Sequence, residues 1–444
     1  MYLVLLILLS IAFIILAGTR LRWHPILSLL VAALGFGVLS GMPVADVIAT
    51  INQGFGSTIG NIGLLIILGI IIGTFLEKSG GAAVLARRVL QIIGANRVHT
   101  ALGLVGYIVS IPVYADSGFI ILHPLARAMA KKAGAPVAGA CIALGLGLTA
   151  SHTMVPPTPG PIAAAGIMGA DLGLVVGFGL LTSAIALMAC ILYARWVGPR
   201  LVIRPELATD HGVSAAPQDP PGAFKALLPI LIPIVLILLN SVSRMPFHPF
   251  GEGALSRALE VAGTPVAALG IGLLFALTLP AKFEKRMLDT TGWVGEALSA
   301  AAIIILITGA GGAFGKVLQQ AGIGDLIGTQ VQSASLGLWL PFLTAAAIKS
   351  AQGSSTVALI TTASIIAPLQ ASLGFDAPAT QALAVVAIGA GSAVVSHAND
   401  SFFWVVTQLI GLDTKQGYLG HTAGTAILGF TAMTVLSLLS FFLN

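Results

Sequence analysis

Long apolar runs alternate with short polar gaps along this chain, and the lengths of both carry the first prediction. A helix that crosses the hydrocarbon core of a bilayer needs roughly 20 apolar residues. Runs of that kind occur at Tyr2–Gly18, Pro25–Gly41, Gly60–Leu76, Leu172–Ala194, Ala223–Asn240, Glu260–Leu279, Ala297–Ala313 and Thr422–Leu443. Between them lie apolar stretches cut by polar residues. Thr100–Ile111 and Phe119–Ala130 flank the gap Pro112–Gly118, and Leu336–Ile348 and Val357–Ala371 flank Lys349–Thr356. Val137–Ala150 and Ile162–Gly169 flank Ser151–Pro161, and Thr380–Val395 and Ser401–Leu412 flank Ser396–Asp400. Arms of about 12 residues rise only about 18 Å as helices, too little to span. They predict re-entrant hairpins over 100–130 and 336–371 and broken spans over 137–170 and 380–412.

The gap Ser151–Pro161 shows why such interruptions matter. Pro156, Pro157, Pro159 and Pro161 each lack a backbone donor, so a continuous helix cannot pass through. At membrane depth, irregular backbone is tolerated only where it faces protein or a wet cavity. The apolar runs are therefore read as a scaffold around these gaps. Tyr2–Gly18 has no basic leader before it and no small-x-small cleavage site after it, and is read as the first span rather than as a signal peptide.

Composition agrees with a membrane protein. Of 444 residues, 57% are hydrophobic and 8% charged, against about 25% charged in a soluble domain. The net charge of +5 is spread over loops rather than gathered in a nucleic-acid-binding stripe. With the N-terminus outside, 17 of the 21 Lys and Arg fall on the inner side; the exceptions are Arg244, Arg257, Lys316 and Lys349. That is the bias expected of cytoplasmic loops.

The order of elements then repeats. Residues 1–195 hold three spans, a hairpin, a broken span and a final span. A polar cytoplasmic linker follows over 196–222, and residues 223–444 run through the same order. Five crossings per half is an odd number, so the halves enter from opposite sides. Short echoes accompany the repeat: Ser151-His152 against Ser396-His397, and Phe75–Gly80 against Val317–Gly322. The expectation is an all-α polytopic membrane protein of two inverted repeats. It has about ten spans plus two hairpins, or 12–14 if hairpin arms are counted. Inverted repeats with broken helices mark secondary transporters.

The gaps carry the candidate chemistry. Half-helix N-termini at each gap favour an anion such as a carboxylate. An ionisable group at membrane depth is functional by default, which singles out Asp116 and Asp400 for proton coupling. The competing reading for both is capping of the helix that follows. Ser117, Ser151, His152, Thr153, Lys349, Gln352, Ser354, Ser355, Thr356, His397 and Asn399 are the candidate substrate contacts, with capping the rival reading for Ser354–Thr356. Lys349 at depth wants an anionic partner, which substrate, Asp400 or Asp116 supplies; its rival is a snorkelling side chain.

Several functions are disfavoured. GxxxxGK[ST] is absent, which speaks against ATP-driven transport, and no GxSxG or HExxH motif supports a membrane hydrolase. Cys141 and Cys190 are isolated, and two histidines without Cys or Glu at ligand spacing make no metal site. No cofactor is expected. A passive channel is the different-class alternative, although charges at depth form no ring.

Four segments together resemble the gluconate permease (GntP) family: Val113–Phe119 (VYADSGF), Ser151–Pro161 (SHTMVPPTPGP), Ala351–Ala358 (AQGSSTVA) and Ser396–Trp404 (SHANDSFFW). They match in order over nearly the whole chain. The resemblance implies a multi-pass protein of the bacterial inner membrane that imports gluconate or a related sugar acid by proton symport, with sodium as the alternative coupling ion. It also implies an elevator-type motion, lipid surroundings and a homodimer. Some members take D-serine or other hydroxy acids, and the quoted motifs do not separate these. Lys349 stands where the family pattern suggests Arg, which exchanges a bidentate fork for a point charge.

Overall fold

The computed structural model describes residues 2–94, 97–204, 219–244, 249–251, 253–322 and 337–443, and regular structure among them is helical. The first half contains α1 (Tyr2–Thr19), α2 (Pro25–Leu39), α3 (Val44–Lys78), α4 (Gly81–Ile93), α5 (Val98–Val109), α6 (Ala115–Lys132), α7 (Val137–Met154), α8 (Pro159–Met168) and α9 (Leu172–Val197). The second contains α10 (Ala223–Ser243), α11 (Ala254–Ala262), α12 (Pro265–Leu277), α13 (Trp293–Gln320), α14 (Trp339–Gln352), α15 (Ser355–Ile366), α16 (Pro378–Ala393) and α17 (Ser401–Ile410). The last helix, α18 (Thr414–Leu443), contains a π-helical turn at Tyr418–Thr422. Residues 205–218 of the expected linker lie outside the described residues, as does Leu336.

Six of the described helices are long and apolar enough to cross a membrane, and seven if the bent pair α11–α12 counts as one span. The chain is a multi-pass membrane protein. Helices α7 and α8 count together as one of the six, while α1, α2, α5, α15, α16 and α17 are apolar but shorter.

Boundaries follow local chemistry. Pro25, Pro159, Pro265 and Pro378 each open a helix, where the missing N–H costs nothing. Asp171, Ser354, Asp400 and Asp413 cap the helices that follow them through side-chain oxygens.

Three readings of the sequence change. Helix α3 begins at Val44, not at Gly60, because Asn52, Gln53, Ser57 and Thr58 disguise its first turns as a polar gap. The run Glu260–Leu279 bends by 75° at Gly263-Thr264, just before Pro265, rather than forming one straight span. The stretch Lys282–Glu296, whose residue pattern reads as an amphipathic helix lying on the inner surface, is instead a short 3-10 turn at Lys285–Leu288, extended backbone at Asp289 and then the start of α13.

The polar start of α3 packs against the glycine-rich middle of α13. A Cβ at Gly312 would stand 1.9 Å from Thr58 Oγ1, and one at Gly54 would stand 2.7 Å from the Gly312 carbonyl oxygen. Small residues let membrane helices approach this closely. Gly312→Val is therefore expected to lower the melting temperature of the detergent-solubilised protein by several degrees, as overpacking costs about 1–3 kcal/mol. An unchanged melting curve, followed by fluorescence-detected gel filtration, would contradict the close seam.

Helix pairings recur between the halves. α3 packs on α13, α9 on α18 and α7 on α16. α5 and α6 pack on α7 as α14 and α15 pack on α16. Across the halves, α15 packs on α8 and α6 on α17, while α2 meets α13 and α12 meets α3. Buried apolar side chains fall into two clusters. One is drawn mainly from α4–α9 and α16–α18, the other mainly from α1–α3, α13 and one face of α15.

Candidate functional site

The gaps meet in space. The turn before α6, the last turns of α7, the α14–α15 junction and the α16–α17 gap line one cavity of about 400 Å³. Its lining includes Ala115 and Asp116 from the first turn of α6, Ser355 and Thr356 from that of α15, and Ser401 and Phe402 from that of α17. Three helix N-termini thus converge on one space. The α14–α15 and α16–α17 gaps touch through backbone: Gly353 has φ +82°, and a Cβ there would stand 2.2 Å from the Asn399 carbonyl oxygen. Only glycine supplies both the left-handed turn and that clearance.

The lining includes a buried ion pair. Lys349 Nζ is 2.6 Å from Asp400 Oδ2, with side-chain exposures of 2% and 9%. The ammonium also donates to the Gly353 carbonyl at 2.5 Å, which uses two of its three donors. Asp400 accepts further bonds from Ser396 Oγ at 2.5 Å and from the Phe402 amide at 3.1 Å. Asp400 therefore both caps α17 and neutralises Lys349.

Asp116 is the opposite case. The N-cap of α6 is Tyr114, which makes no side-chain capping bond, and Asp116 Oδ1 is buried without a partner. Tyr114 Oη, His152 Nδ1 and Gln352 Oε1 are likewise buried and unpartnered, and all four residues line the cavity. The Tyr114 and His152 rings lie 6.0 Å apart. Buried polar atoms rarely go unpaired; a cluster of them around a cavity of this size is what a polar ligand would complete.

The other sequence candidates divide. Thr153, Ser354 and Asn399 line the cavity but are partly engaged. Thr153 Oγ1 donates to the Thr149 carbonyl at 3.0 Å, Ser354 Oγ accepts from the Val357 amide at 3.3 Å, and Asn399 Nδ2 donates to the Ser350 carbonyl at 2.9 Å. Gln352 Nε2 donates to the Ile14 carbonyl at 3.2 Å, tying the site to α1. Three candidates stand outside the lining. Ser117 faces Glu77 at the end of α3, Ser151 is fully buried in α7 with its hydroxyl unpartnered, and His397 Nε2 lies 2.8 Å from the Ser350 carbonyl. The gap beginning at Ser151 is shorter than expected: α7 continues through Met154, and only 155–158 are non-helical, so His152 and Thr153 reach the cavity from a helix.

Tyr114, Thr149, Ser396 and Ser401 line the cavity in addition to the residues that the sequence points to. Tyr114 and Ser396 sit inside the polar gaps, and Ser401 adjoins one, so position was the available signal. Thr149 lies in an unbroken apolar run and offers none.

Comparison with known proteins places this arrangement in context. Residues 2–442 match the family model described as GntP family permease. The gluconate permease of Pseudomonas aeruginosa is 34% identical, over 99% of this chain and 98% of its own. The D-serine transporter DsdX of Escherichia coli K12 is 30% identical, over 98% of this chain and 97% of its own. Among solved structures, the Alcanivorax borkumensis YdaH transporter superposes with a TM-score of 0.68 at 15% identity, covering 95% of this chain and 99% of that one. That last likeness concerns the fold alone.

Proposed function

This chain belongs to the GntP family of permeases, transporters rather than enzymes, and we propose that it imports a small hydroxylated monocarboxylate, gluconate or a close sugar acid, together with a proton. The observation that carries the reading is the cavity itself. Its volume of about 400 Å³ falls within the roughly 300–1,000 Å³ usual for small-molecule sites. Its wall offers hydroxyls, amides and an imidazole suited to a polyol chain, and three helix N-termini suited to a carboxylate.

Charge supplies the coupling argument. Lys349 and Asp400 cancel, so an ionised Asp116 leaves the lining one negative charge in excess. An entering carboxylate meets that charge at close quarters. A proton on Asp116 removes the repulsion and leaves the helix N-termini, each worth roughly half a positive charge, to hold the anion. Proton and anion then bind cooperatively, each raising the affinity for the other. The carboxylate is placed over the first turn of α15, whose cap Ser354 is neutral, with the third Lys349 donor beside it.

The two halves are read as inverted repeats, 1–195 and 223–444. The helix pairings of one half reappear when its helices are exchanged for those of the other, which supports this. The two apolar clusters support an elevator-type motion in which the arms and gaps, carrying the cavity, move against α1–α3 and α13. Import across the bacterial inner membrane follows from the same reading.

A D-serine or hydroxy-acid permease is the second reading, favoured by the unpartnered Asp116 oxygen, which would accept an ammonium. Proteoliposomes under an inward pH gradient decide between them. Labelled gluconate is expected to accumulate, with other aldonates competing better than D-serine. Stronger competition by D-serine selects the second reading. Equilibration without accumulation would indicate a passive pore and end both.

A further inference from the structure

Two carboxylates share this cavity, and the coupling argument needs the proton to go to Asp116 rather than to Asp400. We propose that Ser396 and His421 make that choice: they form a buried donor chain that holds Asp400 as the permanent partner of Lys349. The inference rests on the proton-coupled reading above and extends it to a residue on α18 outside the cavity lining.

The chain is explicit in the geometry. Ser396 Oγ lies 2.5 Å from Asp400 Oδ2 and 3.1 Å from His421 Nε2. A carboxylate only accepts, so the Ser396 hydroxyl donates to Asp400 and must accept from His421. His421 therefore carries a hydrogen on Nε2, and its Nδ1 is left buried without a partner. The imidazole is fully buried and packed edge-on to the Phe402 ring at 5.3 Å. It sits in the π-helical turn Tyr418–Thr422. Helix α18 grips the Ser396 backbone: Thr422 Oγ1, at the end of that turn, donates to the Ser396 carbonyl at 2.5 Å, and the Ser396 amide donates to Thr425 Oγ1, just beyond it, at 3.1 Å. An extra residue in a helical turn is a device for aiming a side chain, and π turns gather at functional sites.

The contrast with Asp116 completes the argument. Asp400 receives Lys349, the Ser396 hydroxyl and the Phe402 amide; Asp116 Oδ1 receives nothing. Hydrogen bonds to a carboxylate favour its charged form. The charged and titratable groups facing Asp400 are Lys349 from α14, in contact with it, Asp116 from α6 and His152 from α7 in the same lining, and His421 from α18 behind Ser396. His397, on the same gap, is turned to the Ser350 carbonyl. Of these, only His421 reaches Asp400 through a hydroxyl whose direction it dictates.

The test uses gluconate binding to the purified, full-length protein across pH 5–8, measured by scintillation proximity. Wild type is expected to bind more tightly as pH falls, by up to about tenfold per unit for one linked proton. Asp116→Asn is expected to flatten that dependence. Adding Ser396→Ala or His421→Ala to Asp116→Asn opens Asp400 to the proton, so pH dependence returns, at least fivefold across the range. Ser396→Thr and His421→Gln, which keep a hydroxyl and a donor, leave the Asp116→Asn profile flat. A profile that stays flat in both alanine double variants overturns the proposal, as does pH dependence returning equally with Thr and Gln. If Asp116→Asn alone keeps the wild-type dependence, it is the proton assignment to Asp116 that fails. Two independent alanine positions keep the test open should one variant not fold.

Discussion

Lys349→Met is expected to reduce gluconate uptake at least a hundredfold and to lower the melting temperature of the protein. The ammonium is among the largest fully buried side chains, and its removal strands Asp400 with only the Ser396 hydroxyl and the Phe402 amide as donors. Breaking a buried pair by deleting one partner typically costs about 3–5 kcal/mol, whereas replacing both partners by neutral groups is often tolerated. The double variant Lys349→Met/Asp400→Asn should therefore recover most of the lost melting temperature while uptake stays low. The comparison separates folding from function: recovered stability with absent transport places Lys349 in the substrate path. Near-normal uptake with an unchanged KM in the single variant would show that the pair lies outside it.

Asp116→Asn is expected to uncouple transport. Asparagine imitates the protonated carboxyl in shape and charge, so the cavity is held in the state that accepts the anion. Accumulation driven by a pH gradient should fall at least tenfold further than counterflow exchange of labelled for unlabelled gluconate. The geometry sharpens this expectation, since Asp116 does not cap α6 and its Oδ1 has no protein partner. Uphill uptake at the wild-type level would remove Asp116 from the coupling step.

The interruptions were legible because proline, glycine and charge are costly inside a membrane helix. Pro112–Gly118, Lys349–Thr356 and Ser396–Asp400 each contain or adjoin a real break, and Ser354 and Asp400 are the caps their residue types suggested. The Lys349–Asp400 pair was within reach too, since a buried ammonium needs an anion and few were available at depth.

Other features depended on neighbours far away in the chain. The first turns of α3 looked like a loop because their polar and small residues answer to α13, some 260 positions on. The reach of His152 and Thr153 depended on α7 holding its helix to Met154, four residues past the apolar run. Ser151 and His397 looked equivalent to their neighbours, yet helical rotation turns one into the core and a backbone carbonyl captures the other. His421 stood alone in an apolar stretch, and only the fold brings it to Ser396.

The claim beneath all of this is that both halves of the chain build one substrate cavity. Cysteine protection tests it most directly, because Cys141 and Cys190 are buried and can be replaced. Single cysteines at Ala115 and Ala393, small cavity-lining residues from opposite halves, would be labelled with a small thiol reagent, with Ala170 in a separate cavity as control. Gluconate should slow labelling at both Ala115 and Ala393 and leave Ala170 untouched. Protection confined to one half, or equal at all three positions, would contradict a shared site.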